Sequence, residues 1–434
     1  ANVRGSWAQV GNVSSPDYIN SGYSVATYQR GDKKIYGMTI PENMKSTNLK
    51  PERKNAWEVG LDWRFLDSRI GVDLTYYKEN TRNQIMTINV PWESGVKEKL
   101  INAGNIQNSG IEIALNTTPI KKKQWQWDLN FTYTRNRNKI VELSPDVTSY
   151  INLDGAANYG NYRIASVAKV GSDYGMLMSD SWIKTDEKTG KPVVGYTNKF
   201  RTVYYKRGGT VKEVGSMLPN FLGSLNSTLR WKDLSLYVLF DARFGGYVAS
   251  YNSRYATAYG FSGETEKYRK GMTWTSKYAN AQDKVFTDGF IPDVVFDAGT
   301  IVTTPGGTNQ DVSGMTYQEA YEKGYVEPAH LQSAAYFKNS WGTGVINDDW
   351  FKKINYIALR EITLSYNVPT KISSYIGAKN LSLSFTGRNL AYLLNTAPNH
   401  ENPESVRGTG AAQFRMRSFM PYTASYLFTL NATF

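Results

Sequence analysis

Long segments in which apolar and polar side chains alternate constrain the fold of this chain more than any other feature. In the segment QWQWDLNFTYTRN every second residue is apolar: Trp125, Trp127, Leu129, Phe131 and Tyr133. Successive side chains of a β-strand point to opposite faces of its sheet, so the segment predicts a strand with one apolar and one polar face. The final stretch, 422–434, alternates in the same way except at Leu427. A strand of a soluble sandwich can also alternate, so the pattern alone leaves two architectures open.

The spacing of the alternating segments separates these architectures. About ten strands are predicted, near 3–11, 57–65, 70–77, 111–116, 124–136, 221–230, 234–244, 354–368, 381–386 and 422–434. The connections after the second, fourth, sixth and eighth strands are short, and the others are long. A transmembrane barrel has this parity, with short periplasmic turns and long extracellular loops, whereas a Greek-key sandwich has no reason to keep it. The sequence therefore predicts an all-β fold, a transmembrane antiparallel β-barrel.

Composition excludes several other classes of protein. The chain has no apolar run near 18 residues, so no transmembrane helix is predicted, and its mean hydropathy of −0.48 suits the diluted strands of a barrel. It has no cysteine and only two histidines, His330 and His400, both in predicted loops. Disulfides, thiolate sites and cysteine catalysis are thereby excluded, and we predict no enzyme, no cofactor and no metal site.

The net charge and two short motifs indicate no further binding function. The net charge is +12, but lysines and arginines are scattered, so nucleic-acid binding is not predicted. Asp348 and Asp349 lack the spacing of a calcium-binding loop, and Thr304–Gly307 lacks the Lys-Ser/Thr of a phosphate-binding loop. Each is expected to be an ordinary turn.

The two longest connections are predicted at 141–218 and 246–351, the second with one short helix near 316–323. No metal ligand is predicted by residue, and whether 246–351 binds a metal or a covering protein is left open. The chain starts directly in a predicted strand without a signal peptide, and we expect a processed or partial chain.

Several motifs, in order along nearly the whole chain, resemble those of SusC/RagA-type TonB-dependent outer-membrane transporters. They are RGSWAQVGN at the start, LKPERKNAWEVGLDWRFLDSRIGVDLTYYKENTRNQI at 49–85, NAGNIQNSGIEI at 102–113, ALREITLSYNVP at 358–369, GRNL at 387–390 and the aromatic terminus Phe434.

The resemblance implies more than 434 residues can hold. Such transporters are barrels of roughly 22 strands with a plug. Residues 1–434 would be about the last ten strands, with the plug, the TonB box and the N-terminal strands lying outside the chain. The implied function is energised import of an oligosaccharide, or of an oligopeptide, across the outer membrane of a Gram-negative bacterium of the Bacteroidota type.

The resemblance also implies partners. These are a SusD-like surface lipoprotein that covers the barrel, the remainder of the barrel and its plug, TonB with ExbB and ExbD, and the lipid or lipopolysaccharide around the wall. Two other functions stay open: a passive porin-like or structural barrel closed by these strands alone, and a secreted glycan-binding β-protein.

Candidate substrate contacts lie in loops and on the inner face of the predicted wall. The loop candidates are Trp182, Trp274, Trp341 and Trp350, since an indole can stack on a sugar or pack on a peptide. The inner-face candidates are Asp241, Arg243, Arg388 and Asn389. The alternative for the tryptophans is that they pack loops together or meet the covering protein. The charged residues could equally brace the plug, because a buried charge needs a partner.

Overall fold

The computed structural model describes residues 1–12, 22–39, 41–46, 48–90, 92–102, 104–145, 147, 150–153, 164–199, 201–263, 266, 271–329, 346–348, 350–407, 410, 414–417 and 421–434.

Ten long strands form one continuous antiparallel sheet in which each strand pairs with its neighbour in the chain order. They are β1 (Asn2–Asn12), β2 (Glu52–Phe65), β3 (Ile70–Arg82), β4 (Asn105–Lys121), β5 (Trp125–Glu142), β6 (Phe221–Trp231), β7 (Leu234–Ser250), β8 (Phe351–Val368), β9 (Asn380–Asn395) and β10 (Ser425–Thr433). The predicted number of strands and their order are confirmed. Most strands extend beyond the predicted limits at the ends that adjoin long connections, because polar residues there still pair with their neighbours.

The alternation of short and long connections is confirmed. Short turns occupy 66–69, 122–124 and 232–233, and 369–379 holds a small helical turn. Leu66, Asp67 and Ser68 all have positive φ, as does Lys232, which gives the tight reversals that these hairpins need. We call the strand ends that these turns join the turn end of the sheet, and the opposite strand ends the loop end.

The two faces of the sheet differ in chemistry. Large apolar side chains exposed on the outer face include Val59, Trp63, Leu74, Phe131, Leu225, Leu236, Leu364, Phe385 and Phe428. Polar side chains cover the inner face and bond across strands, as where Asn130 donates to Asn226 at 2.7 Å and Arg230 pairs with Asp128 at 2.9 Å. An apolar outer band with a polar interior is the pattern of a membrane barrel wall.

Aromatic rings mark two levels on the outer face. Toward the loop end, Trp57 packs on Tyr76 at 5.3 Å between ring centroids, and Phe221 lies 5.3 Å from Tyr133 and 4.8 Å from Phe244. Toward the turn end, Trp125 stacks on Trp231 at 5.6 Å. On β5 the two levels are about eight residues apart, or roughly 26 Å at ~3.3 Å per residue. This matches the apolar band of about 25 Å between two aromatic girdles.

The long connections contain short strands of their own, which the alternation of side chains does not predict. Their bounds are Ser24–Arg30, Lys33–Thr39, Asn43–Lys45, Ile85–Asn89, Glu98–Asn102, Tyr150–Asn152, Ile164–Lys169, Met176–Ser179, Val193–Thr197, Thr202–Tyr205, Lys212–Ser216, Met272–Thr275, Val285–Gly289, Val295–Phe296, Ile301–Thr303, Asn309–Asp311, Val406–Arg407 and Arg415–Met416. α-Helices and 3-10 turns lie at Tyr251–Ala258, Tyr317–Glu322, Thr370–Ser373, Trp92–Ser94, Ala279–Ala281, Ser374–Ile376 and Pro398–His400.

The helix predicted near 316–323 is confirmed as Tyr317–Glu322. It begins at a capping box, in which the Thr316 side chain accepts from the Glu319 backbone N–H and the Glu319 carboxylate accepts from the Thr316 N–H. Its buried residue Tyr317 packs on Phe296 at 5.5 Å.

Two distant long connections share one hydrophobic core. The strand Val193–Thr197 pairs in parallel with Val295–Phe296, and Val194, Phe296 and Tyr317 belong to the same buried cluster. We call this unit, within 183–207 and 285–329, the loop subdomain. It is fastened further where Lys184 pairs with Asp297 at 2.9 Å.

The outermost strands, β1 and β10, each have one pairing partner among the described residues. β10 begins at Ser425, not at Tyr422 as expected, because its pairing with β9 starts at Arg388↔Ser425. The Tyr422 ring packs instead on Tyr392 at 4.8 Å.

No helix in the described part of the chain is long and apolar enough to cross a membrane.

Candidate functional site

A β-bulge on β8 determines what the inner wall presents near the loop end. Leu239 on β7 pairs with Glu361 and Phe240 pairs with Leu359, so Arg360 is an extra residue on β8. Without the bulge, Arg360 would share the outer face with Ile362. The extra residue shifts the alternation by one position and turns the Arg360 side chain to the inner face.

Arg360 joins two carboxylates at this point. Its Nε and Nη2 donate to Asp241 Oδ2 at 3.1 and 2.6 Å, and its Nη1 and Nη2 donate to Glu404 at 2.6 and 2.7 Å. The Arg360 side chain is only 18% exposed. Two-pronged pairing of this kind is favoured by the planar fork of an arginine.

Two tyrosines complete this group. The Tyr392 hydroxyl donates to Glu404 at 2.7 Å, and the Arg360 guanidinium lies 5.7 Å from the centre of the Tyr356 ring. We call Asp241, Arg360, Glu404, Tyr356 and Tyr392 the Arg360 cluster. Burial opposes ionisation of Glu404, but the hydrogen bonds from Arg360 and Tyr392 prevail and hold its pKa below the ordinary value.

A second anchor fixes the same loop. Glu401 accepts from Ser250 at 2.6 Å and from Ser253 at 2.9 Å, at the start of the helix Tyr251–Ala258. Burial raises the pKa of Glu401, although both serine hydroxyls oppose that change. The β9–β10 connection is thus tied to the inner face through Glu404 and to the loop end of β7 through Glu401.

The four inner-face candidates differ in how far their side chains are engaged by other residues. Asp241 is engaged by Arg360, and Arg243 donates to the carbonyls of Met217 and Gly245 at 3.2 and 3.3 Å. Both side chains therefore brace this wall and its loops.

Arg388 and Asn389 lie next to each other at a second irregularity, on β9. Arg388 Nε pairs with Glu361 at 2.9 Å, yet its side chain stays 53% exposed. Asn389 has a φ of 51°, which fits the shift in β8–β9 pairing between Leu359 and Glu361. Of the four inner-face candidates, these two leave the most room for a ligand.

The loop tryptophans are less available than expected. Trp350 is completely buried, and its indole donates to Asn347 at 3.0 Å. This leaves no surface for a ligand, so the predicted ligand contact at Trp350 is wrong and the residue packs the loops together. Trp182 is partly buried, donates to the Ser179 carbonyl at 2.8 Å and packs on Phe351 at 5.9 Å. Trp341, like His330, lies outside the described residues.

Trp274 belongs to an aromatic cluster beside the loop subdomain. It stacks on Phe286 at 4.8 Å, and its indole donates to Glu327 at 3.3 Å. The Arg201 guanidinium lies 4.9 Å from the centre of the nearby Tyr278 ring. A small cleft is lined by these residues, and its volume of about 10 Å³ is too small for a sugar ring or a peptide side chain unless the loops move.

The described residues contain no group of three metal-binding side chains. Asp348 accepts from the Ile183 backbone N–H at 3.1 Å, which is a structural contact, and Asp349 lies outside the described residues. His400 ends a short 3-10 turn, where its Nδ1 lies 3.0 Å from the Asn395 carbonyl.

Arg360, Glu404 and Tyr392 are not among the site residues that the sequence predicts. One signal was available: the apolar residues of β8 switch from odd positions, Ile357 and Leu359, to even positions, Ile362 and Leu364. Such a change of phase within a strand predicts a bulge near Arg360. No comparable pattern predicts Glu404, which lies 44 positions from Arg360 in the sequence.

Comparison with known proteins supports this architecture. Residues 1–247, more than half of the chain, match the family described as "TonB dependent receptor-like, beta-barrel". TonB-dependent receptor P26 of Formosa agariphila is 23% identical over 399 residues, 89% of this chain and 35% of that protein. TonB-dependent receptor SusC of Bacteroides thetaiotaomicron is 29% identical over 178 residues, 40% of this chain and 17% of that protein. The chain spans about a third of the length of P26.

The fold also matches solved structures. The RagAB peptide importer in its closed-closed state superposes on all of this chain with a TM-score of 0.61 at 14% sequence identity, and the match covers 41% of that importer's chain. At this identity the likeness shows the fold alone. With the family match over more than half its length and a ten-stranded sheet of the same fold, the chain belongs to the TonB-dependent receptor-like β-barrel family.

Proposed function

We propose that the protein imports a nutrient oligomer across the outer membrane of a Gram-negative bacterium, and that this chain supplies part of the barrel wall. The observation that carries the proposal is the two-faced sheet, with an apolar outer band between two aromatic levels and a continuous polar inner face. The loop end then faces outward and the turn end faces the periplasm, as in other barrels of this kind.

The proposal includes further segments of the same protein. Residues 1–434 would be the C-terminal ten strands of a barrel of roughly 22, with a plug and a TonB box in the rest of the protein. Two observations support this. The chain spans 35% of P26, and β1 and β10 each leave one edge without a partner among the described residues. Open edges of this length are normally paired or covered.

The partners in this proposal are a SusD-like lipoprotein over the loop end and TonB with ExbB and ExbD on the periplasmic side. The substrate class is an oligosaccharide first and an oligopeptide second. RagAB is named a peptide importer, which supports an oligopeptide substrate. The name SusC, carried by another relative, states no substrate.

Import in this scheme involves no covalent chemistry. A ligand binds between the loops, the covering lipoprotein and the plug, and TonB then displaces the plug so that the ligand passes inward. The proposed contacts on this chain are Arg388 and Asn389 on the inner wall, together with Trp274 and Trp182 once the loops that hold their indoles have moved apart. Asp241 and Arg243 hold the surrounding wall in place.

The test uses the full-length protein with its neighbouring lipoprotein. Uptake of labelled oligosaccharides and oligopeptides is compared between the parent strain, a deletion strain and a deletion strain carrying the protein with Arg388→Ala. We expect uptake that collapses with the deletion or with a proton ionophore, and a raised apparent KM with Arg388→Ala.

Two outcomes would contradict the proposal and support a different function. Uptake that persists after de-energisation would favour a passive porin. Recovery of a monomeric protein without detergent, with no heat-modifiable migration, would favour a secreted glycan-binding protein.

A further inference from the structure

A concentration of positive charge lies on the outer face, from the aromatic level of the loop end to the start of the long connections. The residues are Arg53 on β2, Lys78 and Arg82 on β3, and Arg135, Arg137 and Lys139 on β5. We call them the exterior cationic band. Register places them outside, because Lys78 pairs with Trp57 and Arg135 pairs with Ile111, both of which are exposed on the outer face.

Among the outward positions of β2, β3, β4 and β5 from the aromatic level to Lys139, none is acidic. The nearest outward carboxylate, Glu142, lies beyond the β-bulge at the end of β5, where it pairs with Asn105. The other outward positions of this stretch are Asn55 on β2, Asn80 on β3 and three residues of the intervening strand β4, namely Asn105, Gln107 and Ser109. Acidic side chains of the same strands point inward, where Glu79 pairs with Lys54 and Glu52 accepts from the Ile85 backbone N–H. Between the aromatic level and Lys139 the two faces of these strands are therefore charged differently: both signs occur inside and only cations occur outside.

Two arginines of the band face each other directly. Arg53 and Arg82 are register partners across β2 and β3, and neither has an ion pair with a described residue. Like charges in directly opposed positions repel each other, so this pair is unfavourable unless an anion lies between the two side chains.

Clefts open at both ends of the band. One, of about 570 Å³, is lined by Arg53 and Arg82 together with Lys50, and its one carboxylate is Glu52. The other, of about 480 Å³, lies where β5 extends beyond the start of β6 and is lined by Arg135, Arg137 and Lys139. One carboxylate, Asp173, lines the second cleft against its three cations.

The position of the band relative to the aromatic level indicates which kind of anion it meets. Lys78 pairs with Trp57 and so lies at the aromatic level itself. Arg135 follows Tyr133 by two residues and Arg53 precedes Trp57 by four, so these two arginines lie roughly 7–13 Å beyond that level at ~3.3 Å per residue. Side chains at that height on the outer face meet lipid headgroups, not the substrate path. Arginine pairs with phosphate through two parallel hydrogen bonds.

We propose that the exterior cationic band binds the phosphate groups of a phosphate-bearing lipid in the outer leaflet, with one phosphate site at Arg53 and Arg82 and another at Arg135 and Arg137. This inference rests on the outer-membrane location in the proposed function. It assigns to the wall a lipid contact that is separate from transport of the substrate.

The experiment uses the full-length protein purified in detergent. Two double variants, Arg53→Glu with Arg82→Glu and Arg135→Glu with Arg137→Glu, are compared with Lys33→Glu and Lys34→Glu. The control makes the same change in net charge on an exposed hairpin of the β1–β2 connection. Each protein is titrated with diphosphorylated lipid A and with the same lipid lacking phosphates, and bound lipid is counted by native mass spectrometry.

We expect each band variant to bind the phosphorylated lipid about tenfold or more weakly, with little change in the control. We also expect the lipid without phosphates to bind the parent protein as weakly as it binds the variants. Equal binding of both lipids by all proteins would overturn the inference. So would displacement of the lipid by millimolar inorganic phosphate, because a free anion would then be the ligand.

Failure of this inference can be distinguished from failure of the proposed function. If the protein fractionates with the outer membrane and imports its substrate but the variants bind lipid normally, only the lipid site is wrong. If the protein does not fractionate with the outer membrane, the transport proposal fails first.

Discussion

The guanidinium of Arg360 donates to both carboxylate oxygens of Glu404, at 2.6 and 2.7 Å, and so fastens the β9–β10 connection to the inner face of β8. Because the same guanidinium also holds Asp241, one side chain connects β7, β8 and a loop. The loop end of this wall is consequently less free to move than a long polar connection would be by itself.

Replacement of Arg360 by methionine should release this loop. It leaves two carboxylates without their cation, and we expect the local opening free energy of 396–407 to fall by about 2–3 kcal/mol. Arg388→Met is the matched control, since its pair with Glu361 is more exposed and should contribute less than about 1 kcal/mol. Hydrogen exchange of 396–407 measures both. Equal protection in the two variants would contradict a special role for Arg360.

The two anchors of this loop should respond to pH in opposite ways. The pKa of Glu404 is held below its ordinary value, so the stability that this anchor contributes is present above about pH 4.5 and is lost as the pH falls through the lowered pKa. The pKa of Glu401 is raised, so its carboxyl is most favourable in the protonated form and its contribution declines as the pH rises above about 4.5.

Hydrogen exchange, corrected for the intrinsic rate at each pH, should show this difference. On acidification below about pH 4.5, protection should fall around Glu404 and persist around Glu401. In Glu404→Gln the acid-induced loss around position 404 should disappear. Uniform loss of protection along the loop would show that neither carboxyl controls it.

Gly104 should tolerate no side chain. Its φ is +78°, and a Cβ there would lie 1.7 Å from the Glu142 carbonyl oxygen, where β4 begins its pairing with the end of β5. Gly104→Ala should therefore destabilise the folded wall by on the order of 3 kcal/mol or more.

Gly95→Ala is the matched control for this prediction. Gly95 has a φ of +77° with nothing within 4 Å, so the substitution adds backbone strain of about 1–2 kcal/mol without a collision. The folded fraction is measured by heat-modifiable migration after refolding into lipid vesicles over a urea series. A similar loss for both variants would show that strain, and not the close approach, decides the result.

Trp350 should act through packing and not through ligand contact. Trp350→Ala removes a completely buried indole, and we expect the surrounding loops to lose about 3–5 kcal/mol of local stability. Trp57→Ala, on the outer face and 41% exposed, is the control for loss of an indole. Limited proteolysis should cut the loops of the first variant much faster. Unchanged protection of Trp350→Ala would contradict its assignment as a packing residue.

Local pattern was sufficient for most of the wall. Alternation along 124–136 identifies which side chains lie together on the outer face, because the period of a strand is two and does not depend on its partners. The capping box at Thr316 and Glu319 likewise defines the start of a helix through contacts three residues apart. Features of this kind depend on near neighbours, so the amino-acid sequence determines them by itself.

The inner-wall cluster and the loop subdomain depend on the tertiary structure. Asp241 and Arg360 meet across 119 positions of sequence, and they meet only because one extra residue on β8 reverses the direction of the arginine. In the same way, Val194 and Phe296 share a core that two separate connections build together. The sequence determined that this chain forms a two-faced wall of ten strands. Register and long-range packing decided which charges face each other across it, because a shift of a single residue exchanges the two faces.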